Sequence, residues 1–135
     1  MALREATLAF LARHARPELG PGRYRYALTV EPPTLYSSCY AALTRDLYGD
    51  LAGADREGWV AYLNAHQDPD GLYRDPVIYD QGWYAGDPFD CGRPHLTGHV
   101  LPALACLGAT APRPFALAET YADLGTLEAW LASRD

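Results

Sequence analysis

The stretch Gln67-Asp68-Pro69-Asp70-Gly71-Leu72-Tyr73 directly follows an apolar-periodic run and precedes a long segment rich in aromatic residues. Proline does not continue a helix, and an Asp-Gly pair is typical of a tight turn. The glutamine amide can bond the last free carbonyls of the preceding helix, and the aspartate can accept from the amides that open the turn. We interpret the stretch as a staple between helical hairpins, with Tyr73 stacked over both polar side chains.

Apolar periodicity predicts helices on both sides of this turn. Thr34 and Asp55 are expected to cap helix N-termini, and Gly49 and Gly108 to end helices. Residues 21–33 favour an extended arm, because a lone strand would have no partner. The predicted helices cover residues 2–15, 35–48, 56–66, 95–107 and a last range that begins at Leu117 or Asp123 and ends at Ala132.

Each predicted helix has an apolar face, which we expect to point toward the core. Pro94 suits a first helical turn, because its missing N–H is not needed there. The expected core-facing residues are Leu3, Ala6, Phe10 and His14 on the first helix; Tyr36, Tyr40, Leu43 and Leu47 on the second; and Trp59, Tyr62 and Leu63 on the third.

Short similar segments recur at helix ends. The residues 10–14, 62–66 and 130–134 share an aromatic residue, a leucine, two mostly small residues and a basic or imidazole group. Residues 40–43, which lead to Gly49, resemble residues 101–104, which lead to Gly108. The repeated unit is a helical hairpin, and stacked hairpins share a core that none buries alone. We therefore predict an all-α fold of consecutive antiparallel helical hairpins.

The stretch 67–73 resembles the glutamine, aspartate-glycine and aromatic signature of the terpenoid cyclase and protein prenyltransferase superfamily, including squalene-hopene-cyclase-like repeats, with Tyr73 near the place of the usual tryptophan. Residues 95–108 are similar to the inner-helix pattern that follows it, and the resemblance covers residues 34–135. It implies part of an α/α toroid. In that family six hairpins close the ring, and this single domain, residues 1–135, supplies about two and a half. We expect either a piece of a longer chain or a small relative that self-associates.

Composition excludes several classes of protein. The net charge of −6, with no lysine among the 11 basic residues, does not fit a nucleic-acid surface. No apolar run reaches the roughly 20 residues of a membrane span, and the charged N-terminus is unlike a signal peptide. Cys39, Cys91 and Cys106 have no regular spacing, so we expect reduced thiols in a cytoplasmic protein.

Cys91, His95 and His99 follow one another at intervals of four, which suggests a metal site. On a helix this spacing places both imidazoles on one face, a geometry that zinc accepts with a nearby thiolate or carboxylate. The alternative is structural: His95 caps the helix, His99 is a satisfied interior histidine, and Cys91 is a small buried apolar residue.

The family resemblance implies further candidates. Prenyltransferases hold zinc with aspartate, cysteine and histidine; the Cys39-Tyr40 pair resembles the opening of their inner helix, but Ser37 stands where the aspartate should be. Class II cyclases protonate an alkene with an aspartate-rich motif, which here suggests Asp87 and Asp90 as catalytic acids, although their spacing differs and exposed turn aspartates are the alternative.

Aromatic side chains near these carboxylates are candidates for lining a substrate pocket and steadying a carbocation through their π faces, or for packing between helices. They are Tyr79, Trp83, Tyr84 and Phe89. The expected function is a terpenoid-cyclase-like or prenyltransferase-like repeat domain for an apolar isoprenoid-type substrate. The alternative is a non-catalytic helical-repeat module that binds a ligand or serves as a scaffold.

Overall fold

The computed structural model describes residues 2–75, 77–78, 92–120 and 122–133. Its helices are α1 (Leu3–His14), α2 (Leu35–Leu47), α3 (Arg56–Asn64), α4 (Gly92–Cys106), α5 (Ala116–Thr120) and α6 (Leu124–Ala132), with a 3₁₀ helix at Pro17–Leu19. Within these ranges, extended backbone pairs only at isolated bridges. The all-α prediction is confirmed. In the same part of the chain, no helix combines the length and apolar character needed to cross a membrane.

The helix ends follow the capping signals. The Thr34 side chain accepts a hydrogen bond from the Ser37 N–H, and Asp55 caps α3 in the same way through the Gly58 N–H. Gly49 and Gly108 follow α2 and α4 with φ of +64° and +79°, the left-handed conformation that ends many helices. The last predicted helix is two helices, α5 and α6.

The core lies between α2, α3 and α4, and α2 packs most extensively on α4. Large side chains fill it from α3 and α4, while α2 contributes mainly small ones. The predicted core positions on α3 are all buried. Fully buried residues include Leu35, Cys39, Ala41, Ala42, Leu63, Tyr73, Leu96, Val100, Ala103 and Leu104.

Two predicted core faces were wrong in part, although Tyr36 on α2 packs against the core as predicted. On α1, Leu3 is 77% exposed and Phe10 is 49% exposed, whereas His14 is buried and Leu11 packs on the core. Apolar residues lie on several sides of α1, so periodicity alone does not select the packed side. On α2, Tyr40 is 51% exposed and Leu47 is 78% exposed. The buried face of α2 carries small residues, because they allow close approach of the neighbouring helices.

The stretch 67–73 is a staple, as predicted, but its glutamine has different partners. Gln67 Nε2 donates to the carbonyls of Gly71 at 2.9 Å and Arg113 at 2.8 Å, while Oε1 accepts from the Arg113 N–H at 3.1 Å. The amide therefore does not bond its own helix. It ties the turn to the linker that follows α4, because that linker crosses directly over the turn.

The described chain contains a structural repeat of two helices joined by a turn with a buried tyrosine, and we call the first helix of each repeat its outer helix and the second its inner helix. We call residues 3–49 repeat 1 and residues 56–108 repeat 2. In repeat 1, the Tyr24 N–H donates to Ser38 Oγ at 3.3 Å. In repeat 2, the Tyr73 N–H donates to Thr97 Oγ1 at 2.9 Å. The same bond therefore joins each turn to its own inner helix.

The inner helices end alike as well. After α2, the Asp50 N–H bonds the Arg45 carbonyl, and after α4 the Ala109 N–H bonds the Leu104 carbonyl. Both pairs are related by 59 positions, since 104 − 45 = 59 and 109 − 50 = 59. The predicted match of residues 40–43 with 101–104 was therefore out of register by two residues.

Candidate functional site: a tyrosine–histidine face on two inner helices

Most of the predicted site residues lie outside the described residues. This holds for the candidate acids Asp87 and Asp90, for the candidate metal ligand Cys91, and for the four aromatic residues Tyr79, Trp83, Tyr84 and Phe89. The two predicted imidazole ligands, His95 and His99, are described, and both lie half-buried on α4.

Each imidazole on α4 meets a tyrosine of α2. The Tyr36 hydroxyl lies 2.7 Å from His95 Nδ1, and the Tyr40 hydroxyl lies 3.0 Å from His99 Nε2. Both pairs are separated by 59 positions, the same shift that relates the helix ends. The two inner helices therefore run parallel and in register, and equivalent residues of the two repeats meet side by side.

The four rings form one compact group, which we call the tyrosine–histidine face. The ring centroids of His95 and His99 are 4.6 Å apart, and Tyr36 contacts His99 edge-on at 5.4 Å. Gly98 lies between the two histidines in sequence, and a Cβ there would meet none of the described residues within 4 Å. Within the part of the chain that the structure describes, the face is therefore uncovered on the side of Tyr40 and Gly98.

Hydrogen bonding fixes the tautomer of His99. Its Nδ1 lies 2.9 Å from the His95 carbonyl, and a carbonyl only accepts, so Nδ1 carries a proton. Nε2 of the neutral ring then accepts the Tyr40 hydroxyl proton. His14 and His66 make the same bond to the carbonyl four residues before them, each at 2.9 Å. The Nδ1 bond is thus a local feature of these helices, and Nε2 is the nitrogen of His99 that bonds outside its own helix.

The family-type zinc set does not fit α2. Cys39 is fully buried, and burial, assisted by the charge of Asp75, raises the pKa of its thiol to about 12. Zinc binds the thiolate, so this thiol is a poor ligand at neutral pH. Ser37, at the place of the family's aspartate, has its hydroxyl 2.7 Å from Thr34 Oγ1. Ser37 therefore bonds the residue that caps α2, and Cys39 packs in the core.

The carboxylates of the staple, Asp68 and Asp70, form ion pairs with arginines. Asp68 pairs with Arg74 at 2.9 Å and with Arg93 at 2.8 Å, and Asp70 also pairs with Arg93. Arg93 and the Leu72 N–H together lower the pKa of Asp70 below its usual value. These side chains hold the turn against the start of α4, which supports the architectural interpretation of the stretch.

Asp75 is a buried carboxylate that the sequence interpretation missed. It is fully buried, and its Oδ2 accepts from the Leu35 N–H at 2.5 Å, while Oδ1 accepts from the N–H groups of Val77 and Ile78 at 3.0 and 3.1 Å. Asp75 therefore joins the start of α2 to the segment after the staple. The Asp75-Pro76 pair, which favours a turn, was the available sequence signal.

The comparisons with known proteins add no relative. No protein-family model, no curated protein and no solved structure matches this chain. The interpretation of the site therefore rests on its own geometry.

Zinc binding through Cys91, His95 and His99 stays a prediction. Among the described residues no three histidine, cysteine or carboxylate side chains group as metal ligands, so the site depends on Cys91. We expect roughly one zinc per chain, bound with proton release, and an increase in the unfolding temperature. Bound zinc would displace the Tyr40 hydroxyl from Nε2 of His99. Elemental analysis and calorimetric titration would measure binding.

His99→Ala should abolish this binding, because it removes one of only three protein ligands. His14→Ala is the matched control, since His14 makes the same Nδ1 bond to a carbonyl but lies on α1, away from the face. A chain that is purified without chelator, contains no zinc and takes up none would contradict the prediction.

Proposed function

We propose that this chain is a helical-repeat domain of the terpenoid cyclase and protein prenyltransferase type, and that its tyrosine–histidine face contacts an apolar isoprenoid-type ligand. The observation that carries this proposal is the parallel, in-register pairing of α2 and α4 across Tyr36–His95 and Tyr40–His99. In an arc of an α/α toroid, inner helices stand side by side in this way and expose one common face to the cavity.

The stripe of residues on α2 that includes the two tyrosines of the face favours an apolar ligand. Tyr36, Tyr40, Leu43 and Leu47 follow one another at helical spacing on α2, and Tyr40 and Leu47 are largely exposed. Tyrosine rings offer broad apolar contact area at low entropic cost, and their π faces attract cations. An isoprenoid chain or its carbocation therefore suits this stripe better than a polar metabolite does.

Any cyclisation or prenyl-transfer chemistry is assigned to residues of the segment that precedes α4 in the sequence. We propose Asp87 and Asp90 as the acids and Tyr79, Trp83, Tyr84 and Phe89 as the pocket lining. One observation favours the non-catalytic alternative. The carboxylates of Asp68 and Asp70 pair with arginines, and that of Asp75 accepts from backbone N–H groups. None of those three is placed as a free proton donor.

Further elements of the proposal concern assembly and location. The family resemblance implies an arc of a ring, so we propose that additional units come from other copies of the chain or from a longer chain. The irregular spacing of the three cysteines is the basis for placing the protein in the cytoplasm.

A fluorescent farnesol derivative titrated into the full chain tests ligand binding. We expect saturable binding that Tyr40→Ser weakens about tenfold, which corresponds to the loss of about 1.4 kcal/mol of aromatic contact. Tyr26→Ser is the matched control, because Tyr26 is 70% exposed on the arm outside the face and its replacement should leave the affinity unchanged.

Two outcomes decide between the alternatives. Equal affinities of the wild type and Tyr40→Ser, or no binding at all, would contradict the proposal. Binding without conversion of a linear polyene, assayed by mass spectrometry of the products, would select the non-catalytic module.

A further inference from the structure

A proline lies inside α4, on the side of the helix that carries the two histidines. His95, Gly98, His99 and Pro102 follow one another at intervals of three, one and three residues, so they share one face of α4. Gly98 and Pro102 are both exposed in the part of the chain that the structure describes. Within that part, the backbone of α4 is therefore accessible beside the tyrosine–histidine face.

Pro102 leaves one backbone carbonyl of α4 without its helical partner. In an α-helix, the carbonyl of residue 98 accepts from the N–H of residue 102, but proline has no N–H, and its ring crowds that carbonyl. Gly98 has no side chain to shield the carbonyl, and a Cβ there would meet none of the described residues within 4 Å. The Gly98 carbonyl is therefore an acceptor that a ligand of the face can use.

Apolar side chains of α2 lie beside this part of α4. The in-register pairing of the two inner helices relates residues that are 59 positions apart, and Pro102 follows Leu43 by the same distance. Leu43 therefore lies next to Pro102. Leu47, one turn further along α2, is 78% exposed. A ligand whose polar end lies at the Gly98 carbonyl can thus place an apolar chain over these two leucines.

The two inner helices, both within the described residues, offer no unpaired arginine to an anionic ligand. They contain one arginine each, Arg45 on α2 and Arg93 on α4, and both pair with aspartates. A carboxylate lies at the Leu47 end of the stripe, where burial, together with a hydrogen bond to Asp46, raises the pKa of the Cys106 thiol. A diphosphate would therefore gain no cation here and would meet a negative charge.

We propose that the ligand of the tyrosine–histidine face is an isoprenoid alcohol, whose hydroxyl donates to the Gly98 carbonyl while its chain lies on Leu43 and Leu47. This inference rests on the proposed function and narrows its ligand to one chemical class. The bound chain excludes water from the carbonyl, so the carbonyl stays hydrogen-bonded only if the ligand brings a donor. A carbonyl only accepts, and an ether or a diphosphate oxygen would leave it unpaired.

Titration of the ¹³C,¹⁵N-labelled full chain with geraniol tests the inference by NMR, with geranyl methyl ether and geranyl diphosphate as comparisons and no added divalent cation. We expect geraniol to bind about fivefold or more tightly than the ether, and the diphosphate to bind more weakly than either. The carbonyl carbon of Gly98, observed through the His99 amide, should shift more with geraniol than with the ether. Equal affinities of geraniol and the ether would overturn this inference alone, whereas no binding of either would overturn the proposed function as well.

Pro102→Ala supplies the missing N–H to the Gly98 carbonyl. It should lower the affinity for geraniol to that for the ether and leave the affinity for the ether unchanged, and it should fold, because alanine suits a helix interior better than proline does. Pro94→Ala is the matched control, since Pro94 lies in the first turn of α4, where no helical N–H is needed. It should keep the wild-type preference. A Pro102→Ala variant that still prefers geraniol, or a wild type that binds the diphosphate as tightly as geraniol, would also overturn the inference.

Discussion

Replacing Gly71 by alanine is expected to lower the free energy of unfolding by about 3 kcal/mol or more. Gly71 has φ of +86°, and this left-handed conformation costs a residue with a Cβ about 1–2 kcal/mol. A Cβ there would also lie 2.1 Å from the Pro114 carbonyl oxygen and 2.6 Å from Phe115 Cα. Both contacts are backbone atoms, so the whole linker would have to move away. Urea unfolding followed by circular dichroism would measure the loss.

Gly108→Ala separates the cost of the positive φ from the cost of the close contacts with the linker. Gly108 has φ of +79°, close to that of Gly71, but a Cβ there meets no atom of the described residues within 4 Å. We expect its replacement to cost only the conformational part, about 1 kcal/mol. Equal losses in the two variants would contradict a close approach of the linker to the turn.

Replacing Asp75 by alanine should cost about 3–5 kcal/mol or prevent folding. The substitution removes a fully buried acceptor and leaves the N–H of Leu35, at the start of α2, without its partner. It also frees the N–H groups of Val77 and Ile78. Thermal unfolding and urea unfolding of purified variants would measure the effect.

Asp123→Ala is the matched control, because Asp123 also accepts from a helix N-terminus, through the Thr126 N–H at 2.9 Å, but is exposed. Water replaces a lost cap there, and the expected cost is about 1 kcal/mol. If Asp75→Ala were no more destabilising than Asp123→Ala, the buried carboxylate would not be holding α2 in place.

Helix positions could be predicted because their signals are local. Thr34 and Asp55 cap their helices by accepting from N–H donors that lie three residues later, and Gly49 and Gly108 adopt the positive φ that ends a helix. The Asp-Gly turn of residues 70–71 also depends on a single backbone conformation. Each of these features is fixed by neighbours in sequence, so no knowledge of packing is needed.

The direction in which helices pack could not be predicted in the same way. On α2, the buried side is set by how closely α4 approaches, which selects Ser38, Cys39 and Ala42 over the larger Tyr40. A periodicity argument assigns large apolar residues to the core, and it fails where helices approach through small residues. The partners of Gln67 were missed for a related reason, since Arg113 lies 46 positions away.

The candidate site was predicted in part. The histidine pair on α4 follows from spacing, but its tyrosine partners on α2 follow only from the 59-residue shift between the repeats. Sequence similarity suggested a shift two residues longer, because it matched residues 40–43 with residues 101–104. The correct shift is also the separation of Gly49 and Gly108, which end the two inner helices, so the sequence did carry a signal for it.

The Gln67 amide has a mechanical consequence. Its Nε2 donates to the carbonyl of Arg113, and its Oε1 accepts from the N–H of the same residue. The linker is therefore fixed in both position and rotation. Tension applied to the chain after α5 would load these two bonds before it reached the helices of repeat 2. The staple therefore acts as an anchor that protects the core from strain transmitted along the chain.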